Sequence, residues 1–63
     1  MAMGASNPLM SCAEVAERLG VPERFVRRLI AERRIAFVHI GKYVRIEHEA
    51  LERFINDGRV EPD

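Results

Sequence analysis

Sixty-three residues suffice for one small domain with a single core, and they exclude a two-domain enzyme with a cleft between its halves. Ten Lys and Arg balance ten Asp and Glu, so only the distribution of charge along the chain can point to a partner. A hydrophobic content of 48% with 32% charged residues excludes a wholly disordered chain, and the lone Cys12 excludes an internal disulfide and favours a reducing, cytoplasmic setting. No apolar run approaches the roughly 20 residues that span a bilayer. The opening MAMGASNPLM lacks the basic start and apolar stretch of a signal peptide, so no export signal and no membrane partner are expected.

Residues 1–8 are small, polar and aperiodic, and read as a flexible leader ahead of a domain over 9–57. Ordered structure should begin at Leu9 and Met10. Ser11 followed by Glu14 is a capping box, in which hydroxyl and carboxylate each satisfy an orphan amide at the start of a helix. Met10 and Val15 are spaced as a hydrophobic staple, and Ala13, Val15, Ala16 and Leu19 form an apolar stripe that Gly20 ends. After the three residues Gly20, Val21 and Pro22, a second helix is expected to run to about Arg33. At 100° per residue, Phe25, Val26, Leu29 and Ile30 take one side while Arg24, Arg27 and Arg28 surround Ala31 on the other. Two short helices joined by a tight glycine-bearing turn, the second with an arginine face, form a helix-turn-helix pattern.

Beyond Arg34 the pattern alternates, with Val38, Ile40, Val44 and Ile46 apolar and His39 and Arg45 polar, as in a hairpin. A two-residue turn at Gly41 and Lys42 pairs Ile40 with Tyr43 and puts Val44 on the face of His39. An odd-numbered loop or a bulge aligns all four aliphatics, and is the expected connection. Either way Lys42 sits at the tip and Arg45 projects from the ribbon. A last helix follows from the spacing of Ala50, Leu51, Phe54 and Ile55, closed by Asn56 to Gly58, with a tail over 58–63 expected to fray. The fold class expected is mainly α with a small β-hairpin, a winged helix-turn-helix.

The neutral total conceals a polar molecule. Residues 1–22 carry Arg18 against Glu14 and Glu17, a net −1. Residues 23–45 carry six arginines and Lys42 against Glu23 and Glu32, a net +5. Residues 46–63 carry Arg53 and Arg59 against four glutamates and two aspartates, a net −4. The positive segment coincides with the second helix and the hairpin, the two elements able to enter adjoining grooves of a duplex.

The stretch SCAEVAERLGVPERFVRRLIAERRIAFVHIGKYVRIEHEALERFI resembles the excisionase family of small winged-helix DNA-binding proteins, related to MerR-type DNA-binding domains. The resemblance covers residues 9–55 and rests on AEVAERLGV, VRRLI, HIGKYVRI and ALERFI in that order and spacing. The sequence departs from it at Arg33, where glycine is common, and at Glu47, where proline often follows the second strand. The resemblance implies a recombination directionality factor that binds repeats beside a phage-type attachment site, bends the DNA and helps an integrase assemble for excision. It also implies that neighbouring copies bind cooperatively, and the opposite charges of residues 23–45 and 46–63 would let copies pack head to tail.

Charged residues usually occupy helix exteriors, and seen alone Arg24, Arg27 and Arg28 would be a solvated face. Clustered on the second helix of a helix-turn-helix, they are candidates for groove contact together with Glu23. Arg24, nearest the helix start, is the expected base reader, Arg28 a phosphate contact, and Arg27 either. Lys42 and Arg45 could be gatekeepers of a hairpin edge; the resemblance implies that they contact phosphate from the wing. Tyr43 either packs on the helices or turns its hydroxyl toward DNA. Ser11 is primarily a cap, with a phosphate contact as its second reading.

Metal and catalysis find little support. Cys12, His39 and His48 lack the paired spacing of a zinc site, and Glu47, Glu49 and Glu52 suit the start and outer face of a helix. A Cys–His nucleophile would need an orienting group and a dry pocket that so short a chain can hardly build, and there is no glycine-rich phosphate loop. No cofactor is implied. The expectation is a non-enzymatic, sequence-selective binder of double-stranded DNA. The alternatives are a small transcriptional regulator on the same fold, or a protein-interaction module using the acidic last helix. Salt separates these classes, because phosphate contacts weaken steeply with salt and apolar burial does not.

Overall fold

The structure is a computed structural model, and it describes residues 9–62. The residues 1–8 read as a leader, and Asp63, lie outside those described. In chain order the elements are β1 (Leu9–Met10), α1 (Cys12–Leu19), α2 (Glu23–Ala31), β2 (Val38–Ile40), β3 (Tyr43–Glu47) and α3 (His48–Asp57).

The start of α1 forms as local chemistry dictates. The Glu14 backbone N–H donates to the Ser11 hydroxyl at 3.2 Å, and the Ser11 N–H donates to the Glu14 carboxylate at 2.9 Å. Gly20 then takes the left-handed conformation, with φ of 71°. Its N–H donates to the Glu17 carbonyl and that of Val21 to the Ala16 carbonyl, the paired bonds of a Schellman ending. The buried stripe of α1 is Cys12, Val15 and Ala16, with Leu19 packed at its edge. Ala13, expected in that stripe, is exposed, and Cys12 replaces it. Positions 12, 15, 16 and 19 are the set that one helical face collects, whereas 13 is rotated 100° away from 12.

In α2, Val26 and Leu29 are buried and Ile30 packs at one rim of the stripe. Phe25, at the other rim, remains 41% exposed, contrary to its expected place on the apolar side. The helix stops at Ala31 rather than near Arg33. Ile35 is buried, and the chain must reverse to bring it under the helix. It does so through a second Schellman ending, in which the Arg33 N–H donates to Ile30 and the Arg34 N–H to Leu29, with Arg33 at φ of 59°.

The three strands form an antiparallel sheet in the order β1-β3-β2. Met10 pairs with Ile46 at the edge of β3 opposite β2, and its side chain is buried in the core. The hairpin register pairs Ile40 with Tyr43, His39 with Val44 and Val38 with Arg45. The connection is therefore the two-residue turn at Gly41 and Lys42, and the odd-numbered loop is corrected. Gly41 has φ of 61° while Lys42 lies outside the left-handed region, the sign pattern of a type II′ turn. Turn geometry prevails over aligning the aliphatics because the helices cover only one face of the ribbon. Val44 and Ile46 face the core, while Ile40 faces outward and is 48% exposed.

In α3, Ala50 and Leu51 are buried and Phe54 and Ile55 pack against the core, the four positions its spacing predicts. Val15, Val26, Leu29, Ile46 and Leu51 are the largest fully buried side chains, so every element longer than three residues contributes to one core. Residues 58–62 are exposed and carry no helix or strand. Among the described residues, no helix is long and apolar enough to cross a membrane. Two helices across a three-residue turn, a two-stranded wing and a closing helix constitute a winged helix-turn-helix.

Candidate nucleic-acid interface

The arginine face of α2 points away from the core that Val26 and Leu29 bury, and Arg24, Arg27 and Arg28 are all exposed. The three are not equivalent. Arg27 donates to the Glu23 carboxylate one turn earlier at 2.6 Å, in an exposed pair. Glutamate four residues before arginine is the favourable orientation for such a pair, a signal already present in the spacing. Arg24 and Arg28 border a separate surface concavity of about 290 Å³ shared with Pro22 and Phe25.

On the other flank, the start of α1, the start of α2 and the wing converge on a groove of about 250 Å³. Six of the eight candidate residues line it: Ser11, Glu23, Arg27, Lys42, Tyr43 and Arg45. The structure thus splits the candidates into a wing-side group of six and a pair, Arg24 and Arg28, on the far flank of the same helix.

Within the wing, Tyr43 stands outside the core, 54% exposed, with two cations near its ring. The Lys42 ammonium lies 5.7 Å and the Arg45 guanidinium 5.3 Å from the ring centroid. Arg45 does not project freely from the ribbon. Its Nη1 donates to the Val44 carbonyl at 2.8 Å, and the side chain is partly buried. A guanidinium held by one bond and one ring still presents its other N–H donors, and less side-chain entropy is lost when it meets an anion. Ser11 is the cap of α1, its oxygen accepting from the Glu14 amide, and it also lines the groove.

The residues weighed for metal binding or catalysis do not gather. Cys12 is buried at the wall of the groove, and the exposed His48 lies 3.5 Å from Glu52 on α3. Among the described residues, no three His, Cys, Asp or Glu gather where they could hold a metal ion. Sequence reasoning placed Phe25 on the apolar side, noted Arg33 only as a departure from glycine and left Arg34 without a role. The first is found by its exposure and the other two by the backbone at the end of α2, neither of which periodicity reveals.

Neither the comparison with curated proteins nor that with solved structures found a match. The family model described as a helix-turn-helix domain matches residues 9–59, which take in all six elements. The chain belongs to that helix-turn-helix domain family.

Proposed function

We propose that this protein is a sequence-selective, non-enzymatic DNA-binding module of the excisionase type, acting in the cytoplasm on double-stranded DNA. In this reading α2 enters the major groove. Arg24 reads a base edge and Arg28 grips phosphate, while Arg27 with Glu23 faces the groove wall on the wing side. Bidentate Arg to guanine is the commonest specific contact, and a carboxylate can accept from cytosine, so the Glu23–Arg27 pair offers both a donor and an acceptor. Lys42, Tyr43 and Arg45 contact the backbone from the wing, and Ser11 adds a hydroxyl from the start of α1.

The observation that carries this reading is the convergence of the wing and the starts of α1 and α2 on one basic-rimmed groove beside an arginine-faced helix. Family membership supports DNA binding, and the resemblance of residues 9–55 supports the excisionase role. One module of this size buries roughly 600–1,000 Å² on DNA and discriminates weakly alone. Occupancy is then reinforced by further copies packed head to tail on adjacent repeats, with Glu49, Glu52 and Arg53 of α3 at the contact, and by a phage-type integrase.

The test is a titration of DNA carrying one repeat against DNA carrying two at native spacing, taken from a footprint beside the gene. Cooperative filling of the second repeat with an added bend is the expected result. Equal, independent affinities without bending would leave a small transcriptional regulator as the better reading.

A further inference from the structure

α1 and α2 end in the same hydrogen-bonded motif, with different residues at its left-handed position. After α1 that residue is Gly20, which carries no side chain to strain. After α2 it is Arg33, at φ of 59°, where a non-glycine residue holds an unfavourable backbone conformation. Glycine would make the same turn without that cost, so the turn alone does not account for an arginine there.

The side chain has a defined place. The Arg33 guanidinium lies over the Phe37 ring, 5.8 Å from its centroid, and the ring meets His39 edge-on at 5.5 Å. Arg33, Arg34, Phe37 and His39 border an open concavity of about 540 Å³. Among these, every charged or polar side chain is a hydrogen-bond donor at neutral pH, and the nearby carboxylate of Glu32 lies 3.7 Å from Arg34. This concavity shares no lining residue with the groove formed by Ser11, Arg27 and Tyr43, so the cluster lies off that groove.

We infer that Arg33, Arg34 and His39 form a second phosphodiester-binding site, separate from the groove and from the Arg24–Arg28 flank. This rests on the DNA-binding reading. The segment between α2 and β2 joins an element in one groove of the duplex to an element on the next, and what separates two grooves is a phosphate backbone. Two adjacent guanidiniums beside an imidazole, one of them steadied on an aromatic ring, suit the oxygens of that ridge. The strained Arg33 backbone is retained because it places a cation where glycine would leave none.

The experiment compares the whole chain with Arg33→Gly, Arg33→Lys and Arg34→Ala, measuring thermal stability and affinity for duplex DNA across a salt series. Arg33→Gly should raise Tm by a few degrees, through relief of the left-handed backbone, while binding weakens. It and Arg34→Ala should each reduce the salt slope by about one unit, on specific and random duplexes alike. Arg33→Lys should keep the slope. If the parent chain binds duplex DNA and Arg33→Gly matches it in affinity and slope, the second site is wrong and the groove reading stands. If the parent chain binds no duplex, the DNA reading itself falls, and this site with it.

Discussion

Arg24 and Arg27 stand on different flanks of α2 and differ in chemical situation. Arg27 is held by Glu23 at 2.6 Å, whereas among the described residues no carboxylate lies within ion-pair distance of Arg24, whose fork of donors can meet a base edge. Arg24→Ala should therefore cost roughly 1 to 3 kcal/mol on the preferred site and much less on random duplex, measured by competition between the two. Equal losses on both would make Arg24 a phosphate contact. Ser11 has a structural part that can be measured separately. Losing the cap in Ser11→Ala should cost about 1 kcal/mol of stability in a denaturant titration, because the Glu14 amide loses its acceptor. A cost near zero would mean that water replaces the hydroxyl at this exposed helix start.

At the scale of the element, the wing presents its cations on a prepared support. Arg45 is braced by the Val44 carbonyl and Tyr43, and Lys42 stands over the same ring from the turn. Lys42→Ala and Arg45→Ala should weaken specific and random binding together, each lowering the salt slope by about one unit. Unchanged slopes in both variants would reduce the wing to a structural ribbon. Legibility also divides at this scale. The capping box of α1, its glycine ending and the stripe of α3 were readable because their causes lie within a few residues of one another. The hairpin register was not, because the turn preference of Gly41 competes with the alternation of Val38, Ile40, Val44 and Ile46, and only the packed helices show that one face needs covering. Two residues of β1 are too few for any periodicity, and Leu9 and Met10 become a strand only because β3 offers them an edge. The Glu23–Arg27 pair was present in the spacing. The left-handed Arg33 had a signal in the glycine common at its position in the family resembled, whereas the stop of α2 was hidden because the burial of Ile35 dictates it.

At the scale of the whole molecule, a neutral chain separates its charge, with a net +5 over residues 23–45 against −4 over 46–63. The separation gives α2 and the wing a positive potential while leaving no net repulsion between neighbouring copies. The core beneath them is small. Stability of about 0.05–0.15 kcal/mol per residue puts a chain of 63 near 3 to 9 kcal/mol in all. Interface variants therefore need a folding check beside every affinity, and the exposed positions Arg24, Arg28 and Lys42 can be altered without opening a cavity.

The central claim, that the α2 face and the wing bind duplex DNA sequence-selectively, is tested most directly by selecting duplexes from a random pool with the whole chain and titrating the winner across a salt series. The account predicts enrichment of a defined site, and a log–log salt slope of about −3 from the phosphate contacts of Arg28, Lys42 and Arg45, steepening to about −4.5 when Arg33 and Arg34 add theirs. A pool that returns unenriched, together with binding that is absent or indifferent to salt, would contradict it.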